Sequence, residues 1–167
     1  MSPKAAQRRH RSPGETPLAG TYTKLFYHLV FSTKHRERFI NADIEDELYK
    51  YISGIVRGIE GSCVEINGTS DHVHLLTILP PKIAVSDALR EIKTNSSKWI
   101  HETKPDLVKF GWQDGYAAFT VSISQVNPLR QYIRDQKSHH GARDFKAELL
   151  ALFAKHEVEF DERYIWD

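Results

Sequence analysis

Two strand-like runs lie back to back in this chain with helix-like runs on either side, and that order restricts the fold more than any other feature. "SCVEINGTS" alternates apolar and polar residues. "DHVHLLTIL" follows at once and is stopped by Pro80-Pro81. Only Gly68, Thr69 and Ser70 separate the two, too few for anything but a hairpin. Before them, "NADIEDELYKYISGIVRGIE" places Ile44, Leu48, Tyr51, Ile52 and Ile55 at helical spacing, with acids from Asp43 to Glu47 in the first turn. After them, Ser86 is the expected cap of a helix running to about His101, with Ala88, Leu89, Ile92, Ser96 and Trp99 on one face. Outside these lie two more strand-like runs, "YTKLFYHLVFST" and "YAAFTVSI". The resulting order, β-α-β-β-α-β, predicts an α+β, ferredoxin-like (split β-α-β) fold. Such a fold has a four-stranded antiparallel sheet with two helices on one face and the other face left to be covered.

Two further helices are expected. "NPLRQYIRDQKSHH" has Asn127 as a cap, Pro128 in its first turn and Gly141 at its end; "DFKAELLALFAKHE" precedes an acidic tail. The loop "KPDLVKFGWQDG" precedes the fourth strand. Residues 1–20 hold three prolines and no hydrophobic periodicity, so they read as a disordered basic arm ahead of a single domain at 21–167. Net charge is +1, so bulk charge is a weak argument for nucleic acid and any such partner must meet a local basic face. No apolar run approaches the roughly 20 residues of a membrane span. The start is polar and basic rather than signal-like, and the single Cys63 suits a reducing compartment, so a cytoplasmic protein is expected.

The hairpin carries an unusual pair. Side chains alternate along a strand, so His72 and His74 share one face while Val73 and Leu75 take the other. Two imidazoles so placed can converge on one divalent metal, with a third ligand from another element. They can equally be polar residues on a solvated face. Asp71 can orient an imidazole or simply turn the chain. On the later helix Tyr132 and Gln136 are four apart and share a face. Tyrosine can act as a covalent nucleophile, and a metal-polarised phosphate needs an in-line nucleophile.

Taken together these segments resemble a known family. "DHVHLL" resembles the His-hydrophobic-His signature of the HUH endonuclease superfamily. "YIRDQ" resembles the tyrosine motif of the single-tyrosine transposases of bacterial and archaeal insertion sequences, close to the REP-associated tyrosine transposases. "YHLVFSTKHRER", "KTNSSKWI", "GWQDGYAAFTVS" and "FDERYIWD" are similar to other family segments in the same order, covering about Tyr22 to Asp167. The basic arm before Thr21 departs from the pattern.

The resemblance implies that His72, His74 and Gln136 bind Mg²⁺ or Mn²⁺ and that Tyr132 attacks single-stranded DNA with hairpin ends. A 5′-phosphotyrosine and a free 3′-hydroxyl would form, to be rejoined without water or ATP. It also implies a homodimer in which the tyrosine helix of one subunit completes the site of the other. Two imidazoles and an amide oxygen suit Mg²⁺ or Mn²⁺ less obviously than Zn²⁺, so phosphate oxygens and water would complete the coordination and metal binding without DNA would be weak. Lys34, Arg36, Arg38, Lys93, Lys98, Arg130, Arg134 and Lys137 are candidate phosphate neutralisers. Tyr27, Phe31, Trp112 and Tyr116 are candidate stacking platforms. His28 reads as a core-satisfied strand residue, and His139-His140 as a cation pair at a helix end. The alternatives are a domesticated nuclease acting on repeat hairpins, a non-catalytic nucleic-acid-binding module and a metal-dependent hydrolase.

Overall fold

A computed structural model describes residues 20, 22–139 and 144–165. Residues 1–19 of the arm, His140 and Gly141 lie outside these residues, as does most of the stretch between the last two helices. The expected element order holds: β1 (Leu25–Ser32), α1 (Ala42–Gly58), β2 (Ser62–Gly68), β3 (His72–Leu79), α2 (Val85–Thr103), β4 (Ala117–Val121), α3 (Val126–Arg134), a short α4 (Gln136–His139) and α5 (Phe145–Lys155). The strands form one antiparallel sheet in the order β2-β3-β1-β4. This is the split β-α-β arrangement, with β3 inserted between β1 and β2.

The strand period divides the core in two. Leu29, Phe31, Val73 and Leu75 face α1 and α2, where they pack against Ile44, Leu48, Ile52, Leu89 and Ile92. His28, Val30, His72, His74 and Leu76 take the opposite face, as the registers Val30↔His74 and His28↔Leu76 require. That second face is covered by helices of the same chain. Val126 and Ile133 of α3 pack on Phe26 and Leu76. Phe145, Leu149, Leu152 and Phe153 of α5 pack on Val30, Ala117 and Phe119.

Several local expectations need correction. The helix 85–103 has Ala84 at its N-cap with no side-chain cap bond, so Ser86 sits inside its first turn. In α1 the buried stripe uses Tyr49 and Val56, while Tyr51 stays partly exposed and stacks on Trp99 with ring centroids 5.0 Å apart. The tyrosine helix is two pieces. α3 begins at Val126, upstream of Asn127, and the helix breaks at Asp135, whose ψ of 8° leaves the helical range. β4 stops at Val121, and a single 3₁₀ turn at Ile123–Gln125 leads into α3.

Candidate metal and tyrosine site

β3 sits in the middle of the sheet and offers both histidines to the second face. The hairpin that starts it is tight: a Cβ on Gly68 would lie 2.1 Å from the His72 carbonyl oxygen. Both histidines are fully buried. Asp71 Oδ1 accepts from His72 Nδ1 at 2.7 Å, and Thr69 Oγ1 lies 3.0 Å from the same nitrogen while donating to Asp71 at 2.8 Å. Asp71 therefore orients the ring and leaves Nε2 facing inward, as the sequence suggested it could.

His74 is oriented from the neighbouring strand. His28 Nε2 lies 2.9 Å from His74 Nδ1. For His74 to present a lone pair on Nε2 it must carry its proton on Nδ1 and donate it to His28. His28 is suited to accept: burial, with the neighbouring His74 and His156, holds its pKa well below the usual histidine range, so it stays neutral. His28 is thus more than a satisfied core residue; it is placed to hold His74 through Nδ1.

The third group facing the histidines is Glu148 of α5, which sequence reading missed. Its carboxylate oxygens lie 3.5 Å from His72 Nε2 and 3.5 Å from His74 Nε2. The ligand atoms of His72, His74 and Glu148 all lie within 4.8 Å of one another, close enough to be shared by one ion. The signal was present in "DFKAELLALFAK": Glu148 falls on the same stripe as Phe145, Leu149 and Leu152, an acid among apolar residues on a buried face. Burial opposes its ionisation, but hydrogen bonds with His72 and His74, and the Tyr132 phenol, outweigh that and hold the carboxyl far below its usual range. Conversely, burial opposes the charging of His72, yet its bonds to Asp71 and Glu148 raise its pKa. A pocket that draws a proton onto an enclosed imidazole is one that favours positive charge. A divalent cation held by two neutral imidazoles and a carboxylate fits it.

Tyr132 and Gln136 arrive at the same carboxylate. The Tyr132 hydroxyl donates to Glu148 Oε1, and Gln136 Nε2 donates to that oxygen at 2.8 Å. Their spacing of four brings them together despite the break at Asp135. Gln136 is fully buried at the site. The tyrosine helix is tied to the hairpin by Asn67 Nδ2, which donates to the Arg134 carbonyl at 2.9 Å. The Tyr132 ring meets His74 edge-on, centroids 5.8 Å apart, within one chain. Phe145 stacks on His72 at 4.2 Å and closes the side of the site nearest that histidine.

The expected phosphate neutralisers do not form one patch. Lys34 and Arg38 are exposed and Arg36 is half-buried on the turn after β1. Lys34 and Lys93 border a cavity of about 530 Å³ on the α2 side, and Lys93 Nζ donates to the Asp114 and Gly115 carbonyls. Lys98 pairs with Glu102. Arg130 and Arg134 both reach Glu65, and Lys137 reaches Glu45. Of the aromatic candidates, Phe31 and Trp112 are core residues in mutual edge contact, Tyr27 is partly buried, and Tyr116 is 45% exposed.

A family model described as "Transposase IS200 like" matches residues 21–136. Over 124 residues the chain is 28% identical to the ISDra2 transposase TnpA of Deinococcus radiodurans, covering 70% of this chain and 87% of that protein. Over 128 residues it is 28% identical to the transposase for insertion sequence element IS200 of Salmonella typhimurium, covering 73% and 83%. A crystal structure from Deinococcus radiodurans R1 superposes with a TM-score of 0.60 at 26% identity, covering 73% of this chain and 98% of that one. A REP-associated tyrosine transposase bound to a REP hairpin shares the fold, with a TM-score of 0.56 at 18% identity over 76% and 75% of the two chains.

Proposed function

Since the chain belongs to the IS200-like transposase family, we propose that it cleaves and rejoins single-stranded DNA through a phosphotyrosine at Tyr132. The observation that carries this reading is the meeting of the Tyr132 hydroxyl, His72 and His74 on one buried carboxylate, Glu148. A phenol there can attack a phosphate held by the same groups.

His72, His74 and Glu148 would hold a divalent cation, Mg²⁺ or Mn²⁺, with the Gln136 amide beside it; such a cation, when bound, polarises the scissile phosphate and offsets charge building on it. With a cation bound, Asp71 and His28 stand where they can accept the Nδ1 protons of the two imidazoles, which would leave each Nε2 lone pair for the metal. Glu148 aligns the phenolic oxygen; with its pKa so depressed it is a weak base, so its part is orientation and charge. The Tyr132 oxygen forms a bond to phosphorus as the bond to the 3′-oxygen breaks. One proton leaves the phenol and one reaches the 3′-oxygen. The phosphate remains a diester, so a second 3′-hydroxyl can reverse the step without ATP.

Rejoining two ends calls for two tyrosines, which a homodimer would supply. Within one chain, however, all the named groups already meet, which supports a site completed by its own tyrosine helix rather than by the partner's. The DNA partner would carry hairpins, as the hairpin bound by the REP-associated relative suggests. A domesticated nuclease acting on repeat hairpins would use the same chemistry and differ only in its genomic setting.

The test is covalent capture. Single-stranded DNA from the gene's own flanks is mixed with the protein and Mn²⁺ and run on a denaturing gel. A DNA-linked band that vanishes with chelator and in Tyr132→Phe is the expected result. A band that survives Tyr132→Phe would move the nucleophile elsewhere. Cleavage with no adduct in the wild type would point to a hydrolase, and binding without cleavage to a non-catalytic module.

A further inference from the structure

The histidines of the site have no exposed surface, so a strand cannot reach them from their own side. The phenol and the carboxylate, by contrast, stand in the wall of a cavity of about 840 Å³ between β4, α3 and α5. Its volume is within the ~300–1,000 Å³ of small-molecule sites and well above what one phosphate group fills. Resting on the proposed chemistry, we propose that this cavity is a nucleotide subsite. It would take the nucleotide on the 3′ side of the scissile phosphate, the one that stays joined to Tyr132 after cleavage.

Three features support that occupant. First, in-line attack puts the leaving 3′-oxygen on the side of phosphorus away from the tyrosine. The retained nucleotide is therefore the one that lies nearest the phenol, and the space adjoining the phenol is this cavity. Second, the walls have the character of a base slot. Val121 and Leu129 on one side and Ala151 and Leu152 on the other are apolar surfaces a base can lie between. Thr120, Ser122 and Gln125 stand at the β4–α3 edge. They bring hydroxyl and amide groups that both donate and accept, which is what reading a base edge requires. Third, the charge is right. Lys155 borders the cavity at the end of α5, so a strand leaving the slot meets a cation. Glu148 is the acid in this wall, and it is engaged by His72, His74, Tyr132 and Gln136.

Gln125 and Ala151 are exposed and belong to neither the metal site nor the core, so they can be changed without dismantling either. The experiment uses the full chain with Mn²⁺ and a pool of single-stranded oligonucleotides randomised over ten positions, and sequences the tyrosine-linked products. The expected result has three parts. The wild type enriches particular bases at the retained nucleotide. Gln125→Ala flattens the preference at that position alone. Ala151→Trp, which fills the slot, lowers adduct yield at least tenfold on every sequence while Mn²⁺ affinity is kept. Unchanged yield and unchanged base preference in both variants would overturn the subsite. A second measurement separates this idea from the chemistry. Backbone amide shifts are recorded on adding 5′-phosphorylated single-stranded trinucleotides to Tyr132→Phe, which cannot be trapped. Shifts at residues 120–125 and 151–156 without any wild-type adduct would keep the slot and remove the tyrosine chemistry. Adducts without those shifts would do the reverse.

Discussion

Glu148 is the residue on which the site turns. It accepts from Tyr132 and Gln136 and faces both imidazoles, so its charge and its shape have separable effects. Glu148→Gln keeps an oxygen for the phenol but removes the charge. Mn²⁺ affinity, read by calorimetry, is expected to fall about 10–100-fold, the scale typical of perturbed metal sites. Affinity within twofold of wild type would exclude Glu148 as a ligand. His72 sets the pH dependence. Burial opposes its charging, but Asp71 and Glu148 outweigh that and hold its pKa above the usual histidine value, so in the absence of metal it keeps a proton to higher pH than a free histidine. A ligand must give up that proton. Metal binding should therefore tighten as the pH rises from 6 to 8, with proton release that scales with buffer ionisation enthalpy. In the chelated protein the sign is opposite. Stability from protonated His72 is fully present below its unfolded value and lost as the pH rises through the folded one. An affinity that is flat across this range would mean His72 is already neutral.

At the level of elements, the hairpin and α5 do different work. The hairpin aims the histidines, and its tightness depends on Gly68. A Cβ there would collide with the His72 backbone, so Gly68→Ala is expected to destabilise the fold by roughly 1–3 kcal/mol. A matching drop in the urea midpoint should be accompanied by weaker Mn²⁺ binding. A stable variant with normal metal affinity would show that the turn can relax. α5 brings Glu148 to the site and packs on the sheet through the apolar side chains of Phe145, Leu149, Leu152 and Phe153. Leu149→Ala should cost about 2–5 kcal/mol if α5 unfolds with the rest of the domain. Early proteolysis within α5 with little change in the main transition would instead make it a separately opening unit.

For the whole molecule, the question is whose tyrosine serves whose histidines. The sheet presents two faces. α1 and α2 close one, and α3 and α5 of the same chain close the other, bringing Tyr132 beside its own His74. Mixing Tyr132→Phe protein with a His72→Ala, His74→Ala double variant tests this. A site completed within one chain predicts no adduct from the mixture. An adduct restored toward one quarter of wild type would mean that the tyrosine helices are exchanged between subunits. No helix among the described residues is long and apolar enough to cross a membrane.

The sequence by itself determined the fold and marked several of the residues that the structure brings together. Strand and helix periods are local, and the order β-α-β-β-α-β leaves few topologies, so the sheet and its two faces could be read directly. The pairing of His72 with His74, the orienting Asp71 and the shared face of Tyr132 and Gln136 are all fixed by spacing within single segments. Only the tertiary structure decided the rest. Glu148 is 74 residues beyond His74, and nothing local says that its helix docks on β1 and β4 with the carboxylate reaching the β3 histidines. His28 became the partner of His74 through strand pairing between β1 and β3, which no single strand encodes. Arg130, Arg134 and Lys137 read as free cations until folding brought Glu65 and Glu45 against them. Short-range order follows from side-chain period and backbone preference, whereas a contact between distant segments depends on which apolar faces find each other.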